Sequence, residues 1–129
     1  MKKIMDFIYS LFRLGNKKEK VTDHEYITCA AIWYKELPKQ THLPKNIETG
    51  VVVCGHRHSN CIDIVKTLSG LRSVQYGKEG VGESIQGFLT NRNRFVDRLE
   101  ALQIALTAEQ VKKKDLYNPK IGLFSEDLY

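Results

Sequence analysis

The sequence predicts an α+β fold: a small antiparallel sheet packed by two helices, with an added amphipathic helix at the N-terminus. Three observations lead there. Segments rich in β-branched and aromatic residues recur at 26–33, 47–53 and 85–96, two longer stretches carry apolar residues at helical spacing, and turn-forming residues separate them. A chain of 129 residues, 42% of them hydrophobic, suits a single domain with a real core.

The first element lies outside that domain. Ile4, Phe7, Ile8, Leu11 and Phe12 recur at helical spacing between Lys2-Lys3 and the basic run of 17–20, so the spacing predicts a short basic amphipathic helix. Asp6 and Arg13 interrupt the apolar stretch and no small-residue cleavage site follows, which argues against a secretory signal. A spanning helix needs roughly 20 predominantly apolar residues. The helix is expected to pack on the domain or on a partner subunit, with contact to an anionic membrane the less favoured alternative. Residues 1–20 then form a helix and linker, and 23–129 a single α+β domain.

Tyr26, Ile27, Thr28, Ala30, Ile32 and Trp33 suit a pleated surface and predict the first strand, ending near Lys35. Pro38 and Pro44 bracket a polar loop, and Ile47 to Val53 resume an extended chain, expected antiparallel to the first strand. From Asn60 to Leu71 a helix is predicted with Ser59 or Asn60 as N-cap and Ile64, Leu68 and Leu71 on one face. Arg72 to Tyr76 reads as a short strand, and the glycines at 77, 80 and 82 as a mobile loop that lacks the Lys-Ser/Thr ending of a P-loop. In the next strand Gln86, Phe88 and Thr90 face one way and Ile85, Gly87 and Leu89 the other. Asn91 to Arg94 then form a hairpin turn that returns through Phe95 and Val96. Asp97 is expected to cap a helix running to about Lys114, where Lys112 to Lys114 complement the negative helix end. Ser125 would cap a final turn that docks the tail on the body or on another subunit.

Function is most legible in the octapeptide Cys54 to Cys61, which places two histidines, an arginine and two cysteines between a strand and a helix. Cys54, His56, His58 and Cys61 are zinc-type donors, but structural zinc sites draw on two separated ligand pairs and the chain has no second cluster; no metal and no cofactor are expected. Histidine catalysis would need a second His-x-His pair, and His24 and His42 stand alone. Anion recognition fits better. His56, Arg57 and His58 would sit at a helix N-terminus, where backbone N–H groups and the positive end of the dipole attract phosphate and an arginine can bind it through two hydrogen bonds. A second cluster, Phe88, Arg92, Arg94, Phe95 and Arg98, combines the aromatic faces and guanidinium groups that a purine nucleotide requires. A net charge of +5 favours anionic partners in general. Three cysteines, an odd number in largely apolar surroundings, suit reduced thiols in a cytosol.

Several of these segments together resemble a known family. Ala30-Ala31-Ile32, Gly55-His56-Arg57-His58, Gln86-Gly87-Phe88-Leu89-Thr90, Arg94 to Arg98 with Glu100-Ala101, and Leu123 to Tyr129 look like small phage proteins of the first Thoeris anti-defence family, over residues 25 to 129. The resemblance implies a sponge: a protein that binds the cyclic ADP-ribose isomer made by bacterial TIR-domain defence enzymes without cleaving it, in some members with cyclic oligonucleotides at separate sites. It also implies a homodimer or higher homo-oligomer in the cytoplasm of an infected bacterial cell. The N-terminal extension and the loop from Pro38 to Pro44 are departures from the pattern. Two other classes remain open at this point. One is a small histidine-dependent phosphodiesterase acting on cyclic nucleotides. The other is a nucleic-acid or partner-binding module, less expected because fifteen acidic residues are interspersed among twenty basic ones.

Overall fold

The fold is built around β1 (Ile27–Tyr34), in a computed structural model that describes residues 24–69 and 81–129. The expected N-terminal helix, the strand at 72–76 and the glycines at 77 and 80 lie outside the described residues. β2 (Val51–Gly55), β3 (Ser84–Thr90) and β4 (Phe95–Asp97) complete a four-stranded sheet in the order β2-β1-β3-β4, with every neighbouring pair antiparallel. The α+β class therefore stands, with an antiparallel sheet and its helices in the predicted order.

Strand alternation gives the sheet two buried faces. Ala30, Ile32 and Tyr34 point to the side covered by helices, and Phe88, in register with Ala30, joins them. Ala31 and Trp33 point to the other side, where Phe95, Ile47 and Leu43 pack with them. Among the described residues, no helix packs on that second face. The polar loop between β1 and β2 covers it instead, fixed by side chains that replace missing ladder bonds. Asn46 clamps Phe95 from both sides, accepting from its N–H at 2.8 Å and donating to its carbonyl at 2.6 Å. The Trp33 indole N–H donates to the Thr49 carbonyl at 2.8 Å, and the Gln40 amide oxygen accepts from the Val52 N–H at 3.1 Å.

At Gly87 the strands come too close for a side chain, since a Cβ there would lie 2.1 Å from the Val96 carbonyl oxygen. The Gly87 carbonyl faces α1 (His58–Ser69), and it is this contact that sets the helix rotation. α1 buries His58, Cys61 and Val65 against the sheet. The expected inward face of Ile64 and Leu68 is corrected: both are exposed, Leu68 at 83%, because the anchored His58 ring turns the Cys61 and Val65 side inward. The helix also begins two residues earlier than expected. Arg57 precedes its first residue, and the Asn60 side chain reaches back to accept from the Arg57 N–H at 2.8 Å.

The second helix, α2 (Arg98–Thr107), begins as predicted, with an Asp97 carboxylate oxygen accepting from the Glu100 N–H at 2.8 Å. It ends well before Lys114. Glu109 adopts a left-handed conformation (φ 58°), the Gln110 N–H donates to the Ala105 carbonyl at 2.8 Å and the Glu109 N–H to the Leu106 carbonyl at 3.1 Å. These two bonds form a Schellman stop. Gln110 is then committed elsewhere, its side-chain amide bonding both the N–H and the carbonyl of Ile27. Lys113 to Asp115 form a separate 3-10 turn, so the expectation that Lys112 to Lys114 complement the end of this helix is overturned. The tail does dock on the body. α3 (Ser125–Leu128) is its final turn, and the cap comes from Asp127, which accepts from the Phe124 N–H at 2.9 Å, while Ser125 is the first helical residue and buried.

Candidate anion-binding site

Chain direction brings the end of β2, the start of α1 and the last residue of the tail to one corner of the sheet. Arg57 lies at the strand-to-helix junction, its carbonyl accepting from the Asn60 N–H at 3.0 Å. The amide N–H groups of His58 and Ser59 have no acceptor among the described residues, leaving the positive end of α1 open at this corner. His56 is exposed and its ring stacks on Tyr129 with centroids 4.0 Å apart. Arg57 Nη2 donates to the Tyr129 carbonyl oxygen at 3.1 Å, and the guanidinium carbon lies 5.8 Å from the Tyr129 ring centroid. Arg57 Nη1 is buried without a hydrogen-bond partner. A charged donor left in this state is costly unless something occupies the position it faces.

His58 plays a different part. It is 7% exposed, its Nε2 lies 2.7 Å from the Gly87 carbonyl oxygen, and its ring meets the edge of Phe88 at 5.0 Å. A carbonyl oxygen only accepts, so Nε2 must carry the proton. Burial holds the imidazole below its usual pKa, the Gly87 carbonyl opposes that shift, and the nearby Arg98 charge reinforces it. His58 is thus an internal strut between α1 and β3.

Arg98, the first residue of α2, ties the tail to β3. Nη1 donates to the Leu123 carbonyl at 2.8 Å, Nη2 to the Gln86 side-chain oxygen at 2.6 Å, and the guanidinium lies 4.4 Å from the Phe124 ring centroid. Its partners are neutral, and burial pulls its pKa down while Glu126 and Asp127 push it up.

The remaining residues predicted for the site are placed elsewhere. Phe88 is wholly buried in the core beneath the helices, and Phe95 is buried on the opposite face of the sheet against Trp33. Arg92 is exposed at the hairpin tip, where its N–H donates to the Thr90 hydroxyl at 3.2 Å. Arg94 is held by carboxylates: Nε and Nη2 donate to the two Glu25 oxygens at 2.8 and 2.7 Å, and Nη2 also reaches Glu100 at 3.0 Å. The structure therefore places His56 and Arg57 together against Tyr129 and Arg98 near His58, and separates them from Phe95 and from the hairpin arginines. The zinc-type donors diverge as well. Cys61 faces the sheet under α1, and Cys54, in register with Ala31, is exposed on the other face.

The Arg94 pair leaves a measurable mark on stability. Hydrogen bonding from Arg94, assisted by Thr90 and by the charges of Arg94 and Arg92, pulls the Glu25 carboxyl down to about 2 against the opposing effect of burial. A carboxylate depressed in the folded state adds stability above its unfolded pKa and loses it as pH falls through the folded one. Stability should therefore decline as pH drops from about 4.5 toward 2, and Glu25→Gln should flatten that limb. Urea midpoints across this range provide the check, and parallel curves for the two proteins would show that the pair contributes nothing.

Two features of the corner were hidden in the sequence. Tyr129 contacts Arg57, 72 residues away, and its hydroxyl donates to the Thr28 carbonyl at 2.9 Å, fixing the ring over His56. Its other surroundings form a groove of about 490 Å³ lined by Tyr26, Ile27, Thr28, Gln110, Leu128 and Tyr129. The apolar, aromatic composition of the tail was the one available signal. Residues 26–129 match the model for the family described as phage T4 y16D protein. The chain belongs to this family. No curated protein and no solved structure matches it. The described domain from β1 to Tyr129, with the groove and the Arg57 corner, falls inside the matched residues. Among the described residues, no helix of the chain is long and apolar enough to cross a membrane.

Proposed function

We propose that this phage protein is a non-catalytic binder that sequesters a cyclic nucleotide immune signal of the glycocyclic ADP-ribose type, in the manner of an anti-defence sponge. The observation that carries the reading is Arg57, whose Nη1 is buried without a partner beside the open N-terminus of α1. A phosphate there would accept from the guanidinium and from the His58 and Ser59 amides together. His56 would assist, and Tyr129, stacked on it, offers an aromatic wall to a base or ribose in the adjoining groove. Small-ligand sites generally occupy roughly 300–1,000 Å³, and the groove is of that size. Arg98 carries positive charge near His58, while Phe88 shapes the pocket from beneath by fixing His58.

The inward position of His58 favours binding over hydrolysis. A general acid or base must reach the atom it protonates, whereas this ring is buried and spends its Nε2 proton on Gly87. Sequestration asks only for tight ground-state binding, with no interaction reserved for a transition state. In this reading a second copy covers the exposed Tyr26 and Tyr129 rings and closes the groove, and the complex works in the cytoplasm of the infected cell.

The test is incubation of the purified protein with cyclic ADP-ribose isomers and with cyclic di- and trinucleotides, followed by heat denaturation and chromatography of the released material. Depletion before heating with recovery of intact ligand afterwards is the expected result. A linear or smaller product would make the protein a phosphodiesterase, and no depletion of any candidate would end the nucleotide reading.

A further inference from the structure

On the sheet face away from the helices, two thiols meet. Cys54 is in register with Ala31, so strand alternation places Cys29, two residues earlier on β1, on the same side and diagonal to it. The two thiols are close enough for each to perturb the other's ionisation. The Thr28 hydroxyl also approaches the Cys29 sulfur at 3.7 Å. Cys54 is exposed and Cys29 partly so, whereas Cys61 is buried under α1.

We infer that Cys29 and Cys54 form a dithiol site that reacts with small disulfides and closes to a cross-strand disulfide within one chain. This proposal is independent of the nucleotide reading. The two thiols bias each other's ionisation: the contact with Cys54 and the Thr28 hydroxyl lower the Cys29 thiol against the effect of burial, while the contact with Cys29, burial and the Cys29 charge push Cys54 up. In this proposal Cys29 is the nucleophile, with the Thr28 hydroxyl 3.7 Å from its sulfur to stabilise the thiolate. Its thiolate attacks the incoming disulfide, a Cys29–S bond forms, and one thiolate leaves and takes up a proton. Cys54 then gives its proton to solvent and its thiolate attacks the Cys29 sulfur, expelling the second thiol. In total two protein thiols are oxidised and one small disulfide is reduced to two thiols.

The local backbone permits the closure. Diagonal neighbours in a sheet stand about 7–8 Å apart at Cα, slightly beyond the usual disulfide span of about 4.4–6.8 Å. The β1–β2 ladder stops at Ala30 and Gly55, so Cys29 lies just past its end. The register shift between Ile27 and Cys29 places an extra residue, Thr28, beside it, and a bulge of this kind increases local twist. Both features allow the pair to draw together without breaking a β1–β2 pairing.

The experiment incubates the full reduced chain with oxidised glutathione, quenches with acid, alkylates the remaining thiols and maps peptides by mass. A peptide pair joining Cys29 to Cys54 and lacking two hydrogens is expected, with Cys61 alkylated, and Cys54→Ser should stop at a glutathione adduct on Cys29. A chain-to-chain disulfide, an adduct on Cys54 alone or an absence of reaction would overturn the proposal. Because a variant can fail to fold, alkylation of wild-type Cys29 as a function of pH is a second test. Half-maximal reactivity well below the ordinary thiol value of about 8.5 is expected, and titration at the ordinary value would also overturn the proposal.

Discussion

Phe88→Ala is expected to lower the unfolding free energy by about 3–5 kcal/mol, the range for emptying an aromatic position in a packed core. Phe88 is fully buried, in register with Ala30 and Val96, and belongs to the cluster with Ile27, Leu102 and Leu123. Its ring edge also supports His58. Loss of that support would loosen the start of α1 and weaken ligand binding indirectly. Phe88→Leu separates the two effects. It keeps most of the volume, should cost about 1 kcal/mol, and should leave ligand depletion close to wild type, because the ring is wholly buried. Urea denaturation and the depletion assay on both variants give the answer. A Phe88→Leu protein that is stable but no longer binds would place the ring in direct contact with ligand.

The contrast between Phe88 and Tyr129 shows what was legible in the sequence. Local signals performed well. The hairpin turn at Asn91 to Arg94, the Asp97 cap and the alternation of Gln86 and Phe88 against Ile85 and Leu89 depend on neighbours a few residues away, and all are present in the fold. The Schellman stop at Glu109 was missed because a non-glycine residue occupies its left-handed position, and no composition rule marks it. Ile64 and Leu68 have correct helical spacing, yet the helix rotation is decided by a histidine bound to a carbonyl 29 residues away. Such a choice belongs to tertiary packing. The candidate site follows the same division. His56, Arg57 and His58 announced a strand-to-helix junction, whereas the partner that orders them, Tyr129, and the groove beside it depend on where the tail docks. Clustering of Phe88, Arg92, Arg94, Phe95 and Arg98 in sequence suggested clustering in space. Strand pleating sends Phe88 and Phe95 to opposite faces, and the hairpin carries Arg94 to Glu25.

Arg57→Ala should weaken binding of cyclic ADP-ribose isomers by about 10- to 100-fold, the loss expected for a charge-assisted contact of about 1.5–3 kcal/mol. Stability should change little, since the one hydrogen bond removed from the protein is an exposed contact to the Tyr129 carbonyl. Arg57→Lys retains the charge but not the planar fork, and an intermediate affinity is expected. Arg94→Ala supplies the opposite pattern. It strands Glu25, which is largely shielded from solvent, and breaks the contact to Glu100, so the fold should weaken while the Arg57 corner is left intact. Equilibrium dialysis paired with urea denaturation on these three variants separates a ligand-facing arginine from one that holds the hairpin. Were Arg57→Ala to bind like wild type while Arg94→Ala folded normally and lost the ligand, recognition would belong to the hairpin tip. Two guanidinium groups on one small sheet can thus be assigned by their partners: Arg94 is already neutralised by two carboxylates, whereas Arg57 keeps one buried nitrogen without an acceptor. That unspent donor is why the larger effect on binding is expected at Arg57.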